Sequence, residues 1–222
     1  MKALIFDVDG TLAETEEVHR AAFNRVFAEH GLDWNWNVDL YRELLKTTGG
    51  KERMRAYAGM VGAELDDAQI QRMHLAKNAH YGALTRGRAT LRPGVEDLIR
   101  RGHAAGLKLA ICTTTSRANI EALIEATLGA EGFALFDTIV GAEDAPVKKP
   151  APDAYLLALK RLGLPAADCL AFEDSANGLA AARAAGIATV VTPGIYTAHE
   201  TFEGAAVVLP SLEGFDWTKA DA

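Results

Sequence analysis

The chain has 222 residues, 49% hydrophobic and 24% charged, ordinary proportions for a globular protein of one large domain or of one domain carrying an insert. With 30 Asp and Glu against 23 Lys and Arg, the formal net charge is −7, and such a surface repels the phosphate backbone of nucleic acids and anionic membranes alike. No apolar run approaches the roughly 18 residues of a spanning helix, and Asp7 and Asp9 interrupt the stretch a signal peptide needs, so a cytoplasmic protein without nucleic-acid or membrane partners is expected.

A short apolar run at 2–6 predicts the first strand. From 14 to 87 no β run appears, and helical patterns at about 16–29, 38–45, 51–57 and 67–84 dominate. A crossover between parallel strands needs only one helix. Residues 14–88 are therefore read as a helical cap domain inserted between core residues 1–13 and 89–222. Within it, the two tryptophans of Asp33-Trp34-Asn35-Trp36-Asn37 are expected to pack the cap interior.

Beyond the insert, apolar runs at 107–112, 138–140, 169–172, 188–191 and 206–209 alternate with helical patterns. These span 93–104, opened by Pro93; 116–128, capped by Ser116; 152–162, ending at Gly163; and 175–185, between Ser175 and Gly186. That alternation predicts an α/β core, a Rossmann-like parallel sheet wrapped in helices. Cys112 and Cys169 fall inside strand runs and are expected to be small buried hydrophobes. The 6 histidines show no metal-binding spacing, which argues against zinc.

Asp7-Val8-Asp9-Gly10-Thr11 stands at the carboxyl end of the first strand, where open α/β sheets bind ligands. Gly10 allows a sharp turn and close backbone approach. A second acidic pair, Glu173-Asp174, ends the run at 169–172. If both strand ends share one rim, Asp7, Asp9, Glu173 and Asp174 converge, and their repulsion calls for a cation. Oxygen ligands favour a hard ion, and Mg²⁺ suits a site that also receives a phosphate. Thr113 and Lys149 follow two further strands, and a hydroxyl and an ammonium aimed at a transferring phosphoryl group stabilise its charge.

These motifs in this order, DxDGT, a strand-end Thr, Lys-Pro at 149–150 and Glu-Asp-Ser at 173–175, resemble the haloacid dehalogenase superfamily of phosphotransferases. The helical insert is similar to the C1-type cap of its β-phosphoglucomutase-like subgroup. The resemblance implies Asp7 as nucleophile, Asp9 as general acid and base, and Thr113 and Lys149 as phosphate ligands. It also implies Mg²⁺ held by Asp7, the Asp9 backbone carbonyl and Asp174, with Glu173 nearby or on a bound water. Dehalogenating members lack the second Asp because halide leaves without a proton, so Asp9 argues for phosphoryl transfer, with hydrolysis as the favoured outcome.

Selectivity is expected in the cap. Thr48, Gly49, Gly50 and Lys51 precede or open a helix, where free backbone N–H groups and the lysine make an anion cradle. Further substrate candidates are Glu14, Glu17 and His19 at the hinge, Arg42 and Lys77 in the cap, and Thr114, Ser116, Arg117 and Asn119 beside Thr113. Glu14 stands where many relatives have Asp, and its longer arm is expected to serve a sugar hydroxyl. The TTGGKER, DWNW and TTTS segments together resemble the Calvin-cycle-associated xylulose-1,5-bisphosphatase group, which implies a sugar bisphosphate substrate. Two alternatives stay open. His19 and Lys77 fall where a β-phosphoglucomutase-type phosphosugar mutase has a cap His and Lys, and a non-enzymatic phosphosugar-binding module is the second.

Overall fold

Each strand of the sheet is a short apolar run, and the register between them decides where the polar residues that follow are delivered. A computed structural model describes residues 1–86, 89–145 and 147–219. The strands are β1 (Ala3–Phe6), β2 (Lys108–Cys112), β3 (Thr138–Val140), β4 (Cys169–Glu173), β5 (Ala188–Val191) and β6 (Val207–Val208). They form one sheet in the order β3-β2-β1-β4-β5-β6, with every pairing parallel. β1 therefore lies at the centre, where the strand order reverses and such sheets bind ligands.

Alternate side chains fill opposite faces, as the period of two requires. Leu4, Phe6, Leu109, Ile111, Leu170 and Phe172 pack on one side. Ala3, Ile5, Ala110, Cys112, Cys169 and Ala171 pack on the other. Both faces are covered by helices, so these strands are apolar without alternation. Both cysteines are free and buried.

Among the described residues the helices are α1 (Glu16–Glu29), α2 (Val38–Leu44), α3 (Gly50–Met60), α4 (Asp67–Thr85), α5 (Val95–Ala104), α6 (Arg117–Leu128), α7 (Asp153–Leu162) and α8 (Ala176–Ala184). α1 to α4 form the inserted cap around their own core of Phe23, Val26, Phe27, Trp36, Tyr41, Met54, Ile70 and Met73. Trp36 is completely buried, its ring 4.8 Å from Phe23 and 4.7 Å from Phe27. The boundary expected at residue 88 lies outside the described residues, as do Gly87 and Arg88.

Two local expectations are revised. Pro93 precedes α5 instead of opening it, because Gly94 at φ +83° makes a turn in which a Cβ would stand 2.1 Å from the Leu212 carbonyl carbon. Ser116 occupies the N-cap of α6 without bonding the helix; its hydroxyl instead accepts a hydrogen bond from Asn78 Nδ2 of α4 at 3.2 Å. Ser175 does cap α8, accepting from the Gly178 N–H at 3.2 Å.

Candidate active site

Register brings the acids together. Phe6 lies opposite Ile111 on one side and Phe172 on the other, so the residues after β1, β2 and β4 emerge on a single rim. The Asp7 N–H continues the ladder, donating to Phe172 O at 3.0 Å. Gly10 then turns at φ +82°, and a Cβ there would lie 2.3 Å from Asp174 Oδ2. Only glycine lets the loop after β1 pass so close to the second acidic strand end.

Lys149, 5% exposed, spends all three ammonium donors on this rim. It donates to Asp7 Oδ1 at 2.7 Å, Glu173 Oε1 at 2.6 Å and Cys112 O at 2.9 Å. Its pKa is raised strongly: burial works against the charge, but the Asp7 and Glu173 carboxylates outweigh it. Burial raises Asp7, Lys149 pulls it down, and the Glu173 and Asp9 carboxylates push it up again, leaving it at about 8. Asp174 is raised well above the usual carboxylate range by burial and by Asp7, Glu173 and Glu16.

Ligand atoms of Asp7, Glu173 and Asp174 lie within 4.8 Å of one another. Buried carboxylates this close, with one ammonium among them, are a donor set suited to a hard divalent cation. Glu173 differs from the other two. It is fully buried, accepts from Tyr155 Oη at 2.5 Å as well as from Lys149, and leaves Oε2 without a hydrogen-bond partner. Asp7 and Asp174 face the cavity, whereas Glu173 stands behind Lys149.

Asp9 is held differently. Thr15 Oγ1 donates to its Oδ1 at 2.5 Å and His19 Nε2 lies 2.9 Å from the same oxygen. Burial raises its pKa, but the His19 charge and hydrogen bonds from His19, Thr15 and Thr115 hold it well below the ordinary value. On its far side, His19 Nδ1 is 2.6 Å from Lys77 Nζ. Burial brings Lys77 down to about 7.

Sheet rim and cap enclose a cavity of about 540 Å³, within the range of small-molecule sites. Its core wall carries Asp7, Asp9, Thr113, Thr114, Ser116, Asn119, Lys149 and Asp174; its cap wall carries His19, Thr48, Gly49, Gly50, Lys51 and Lys77. Gly49, at φ +98°, caps α3, so the amino end of that helix opens on the cavity beside Lys51.

Four expected residues are not brought there. Glu14 pairs with Arg92 at 3.3 Å and accepts from the Ile195 N–H at 3.4 Å. Glu17 pairs with Arg20 at 2.7 Å on the exposed side of α1. Arg42 pairs with Asp39 at 3.1 Å. Arg117 bonds Glu121 at 3.0 Å and lies over the Phe133 ring.

Others enter unannounced. Glu16 lines the cavity and accepts from Tyr41 Oη at 2.7 Å; Arg53 donates to the same phenol at 3.0 Å. Helical spacing carries the signal: Glu16, His19 and Phe23 stand at i, i+3 and i+7 on one face, and Glu17 does not. On α4, Gln71, His74 and Asn78 share the cavity face by the same rule. His74 falls to about 3, through burial first and then the Lys77 and Lys51 charges.

The sequence profile of haloacid dehalogenase-like hydrolases matches residues 1–186. The chain belongs to this family. Protein CbbY of Rhodobacter capsulatus is 54% identical over 213 residues, covering 96% of this chain and 94% of that protein. The crystal structure of CbbY from Rhodobacter sphaeroides in complex with phosphate superposes with a TM-score of 0.96 at 46% identity, covering 100% of both chains. A mutant of that CbbY, crystallised in complex with xylulose-(1,5)bisphosphate, gives 0.92 at 47% identity over 96% of this chain and 95% of the other. In this haloacid dehalogenase-like hydrolase, Asp7, Asp9 and Asp174 line one wall of the cavity, and residues of α1, α3 and α4 line the other.

Proposed function

We propose that the protein is a Mg²⁺-dependent phosphatase acting on a small sugar phosphate, most specifically a bisphosphate such as xylulose 1,5-bisphosphate. The observation that carries this reading is a single cavity with Asp7, Asp174 and Lys149 at one end and Lys51 with the α3 amino end at the other. Its relation to a CbbY bound to xylulose-(1,5)bisphosphate supports the substrate. Residues 14–88 would act as the cap that closes over residues 1–13 and 89–222. The free, buried thiols suit a cytoplasmic location.

In this mechanism Asp7 attacks phosphorus in line, forming an aspartyl phosphate while the sugar oxygen leaves. Lys149 turns its charge to the phosphoryl oxygens, and the Thr113 hydroxyl donates to them. Asp7, the Asp9 backbone carbonyl and Asp174 would hold the Mg²⁺. When bound, the ion neutralises charge on the transferring group. Asp9, protonated and released from Thr15 and His19, donates to the leaving oxygen. Returned to those partners it is ionised, the form that takes a proton from the water hydrolysing the aspartyl phosphate. The cap N–H groups and Lys51 would bind the second phosphate, which does not react.

The contacts of His19 with Asp9 and Lys77 favour one second reading, a phosphosugar mutase in which the cap directs phosphoryl transfer to another sugar. Incubation with sugar mono- and bisphosphates, with and without Mg²⁺, separates the two. Inorganic phosphate released only with Mg²⁺, and fastest from a bisphosphate, is expected. Isomerised ester without phosphate would overturn the hydrolytic reading.

A further inference from the structure

Arg92 lies outside the cavity, on the segment that returns the chain from α4 to α5, yet its side chain is only 11% exposed. Its backbone N–H donates to Leu12 O at 2.8 Å. The guanidinium donates to Gly10 O, to Thr192 O at 2.6 Å and to Pro193 O at 2.9 Å. Its Nε faces Glu14 Oε1 at 3.3 Å. One planar fork thus joins the nucleophile loop, both connections to the cap and the loop after β5. A lysine, with a point charge and three donors, cannot reproduce that set.

The two loops it joins are the ones that touch Asp174. A Cβ on Gly10 would lie 2.3 Å from Asp174 Oδ2, and one on Gly194 would lie 3.2 Å from the same atom. Thr197 Oγ1 donates to that oxygen at 3.1 Å and accepts from the Gly194 N–H at 2.8 Å. The Asp174 carboxylate is therefore gripped between two glycine turns, one bonded to Arg92 through Gly10 O and the other through the adjacent Pro193 O. The same loop sends Tyr196 into the cap core, 5.6 Å from the Tyr41 ring.

We propose that Arg92 is a positioning residue that clamps the turns at Gly10 and Gly194 about Asp174, and so fixes that carboxylate relative to Asp7. For its effect on catalysis, the inference rests on the reading of Asp7 and Asp174 as the metal-binding pair. Glu14 belongs to the clamp, holding the first cap connection to the second.

The test compares wild type with Arg92→Lys and Arg92→Met, both checked for folding by circular dichroism. Hydrogen exchange is expected to quicken at residues 10–13 and 192–198 with the rest of the core unchanged. Mg²⁺ titrated calorimetrically into substrate-free protein should bind about 10-fold more weakly in Arg92→Lys, with kcat falling to a similar extent and KM for the sugar phosphate holding, the scale of losses for groups supporting a metal ligand. Wild-type Mg²⁺ affinity and kcat in Arg92→Lys would refute the clamp while leaving the phosphatase reading intact. If wild type itself neither binds Mg²⁺ nor releases phosphate, that reading falls, and exchange alone decides the clamp: quickened at both loops it stands, unchanged it is refuted. Loss spread evenly over the whole core would also refute it.

Discussion

Replacing Asp7 by Asn removes the proposed nucleophile while keeping the side chain's shape, and because that carboxyl sits in a strained cluster of acids its loss costs the fold little. Turnover is expected to disappear, at least 1,000-fold by the scale of nucleophile deletions, with the thermal midpoint unchanged or raised; phosphate release near the wild-type rate would exclude Asp7 as the attacking group. Lys51 poses the opposite case. Among the described residues its ammonium hydrogen-bonds Gln71, at 3.2 Å, and in the proposed mechanism it faces a phosphate that keeps its charge throughout the reaction. Lys51→Ala should therefore raise KM about 10-fold or more, the worth of one charge-assisted hydrogen bond, and leave kcat nearly alone; steady-state kinetics on a bisphosphate check this. At this scale the sequence was legible where chemistry is rare and opaque where it is common. Two aspartates and a glycine ending a strand have few other uses. A glutamate at a helix start has many, and only the face shared with His19 and Phe23 separates Glu16 from Glu17. Glu14 could not be placed because its partner Arg92 lies far along the chain.

Elements carry the same contrast. Central parallel strands covered on both faces are apolar throughout, so β1, β2 and β4 are legible as apolar runs whose carboxyl ends point to the acids, whereas β6, with Val207 and Val208 exposed, is legible only from its short valine run. Helix starts were less legible. Ser116 looks like a cap and serves Asn78 of α4, because a cap hydroxyl can accept from either a backbone amide or a neighbouring element. The turn after β1 offers the test belonging to this scale. Gly10 and Gly31 have similar backbones, φ +82° and +70°, but a Cβ at Gly31 meets nothing within 4 Å. Alanine at either position should cost about 1–2 kcal/mol of left-handed strain. Gly10→Ala should in addition displace Asp174 and abolish most activity, while Gly31→Ala retains it. Equal losses of stability with equal activities would show that the close approach at Gly10 has no functional consequence.

For the whole molecule, the burial of bases beside the cavity has a stability consequence. The cap side is crowded with bases that burial keeps from charging: His74 at about 3 and Lys77 at about 7. In the unfolded chain His74 returns to its ordinary 6.5. Between those values the unfolded state binds a proton that the folded state refuses, so the contribution of His74 to stability falls as pH drops from about 6.5 toward 3, by about 1.4 kcal/mol per pH unit. Lys77 acts with the same sign over a higher window, its contribution diminishing as pH falls from 10.5 toward 7. Asp7, raised from 3.8 to about 8, acts in the opposite sense, its contribution diminishing as pH rises between those values, so the share of His74 is isolated by substitution. Gln in place of His74 fills similar space and cannot charge. Urea midpoints for wild type and His74→Gln at pH 7.5, 5.5 and 4.5 should therefore diverge in the variant's favour as pH drops, since the variant lacks this part of the acid loss. Parallel midpoints across that range would mean that the folded protein protonates His74 as readily as the unfolded chain does, and that the cap wall is wetter than the packing of α4 against α1 implies.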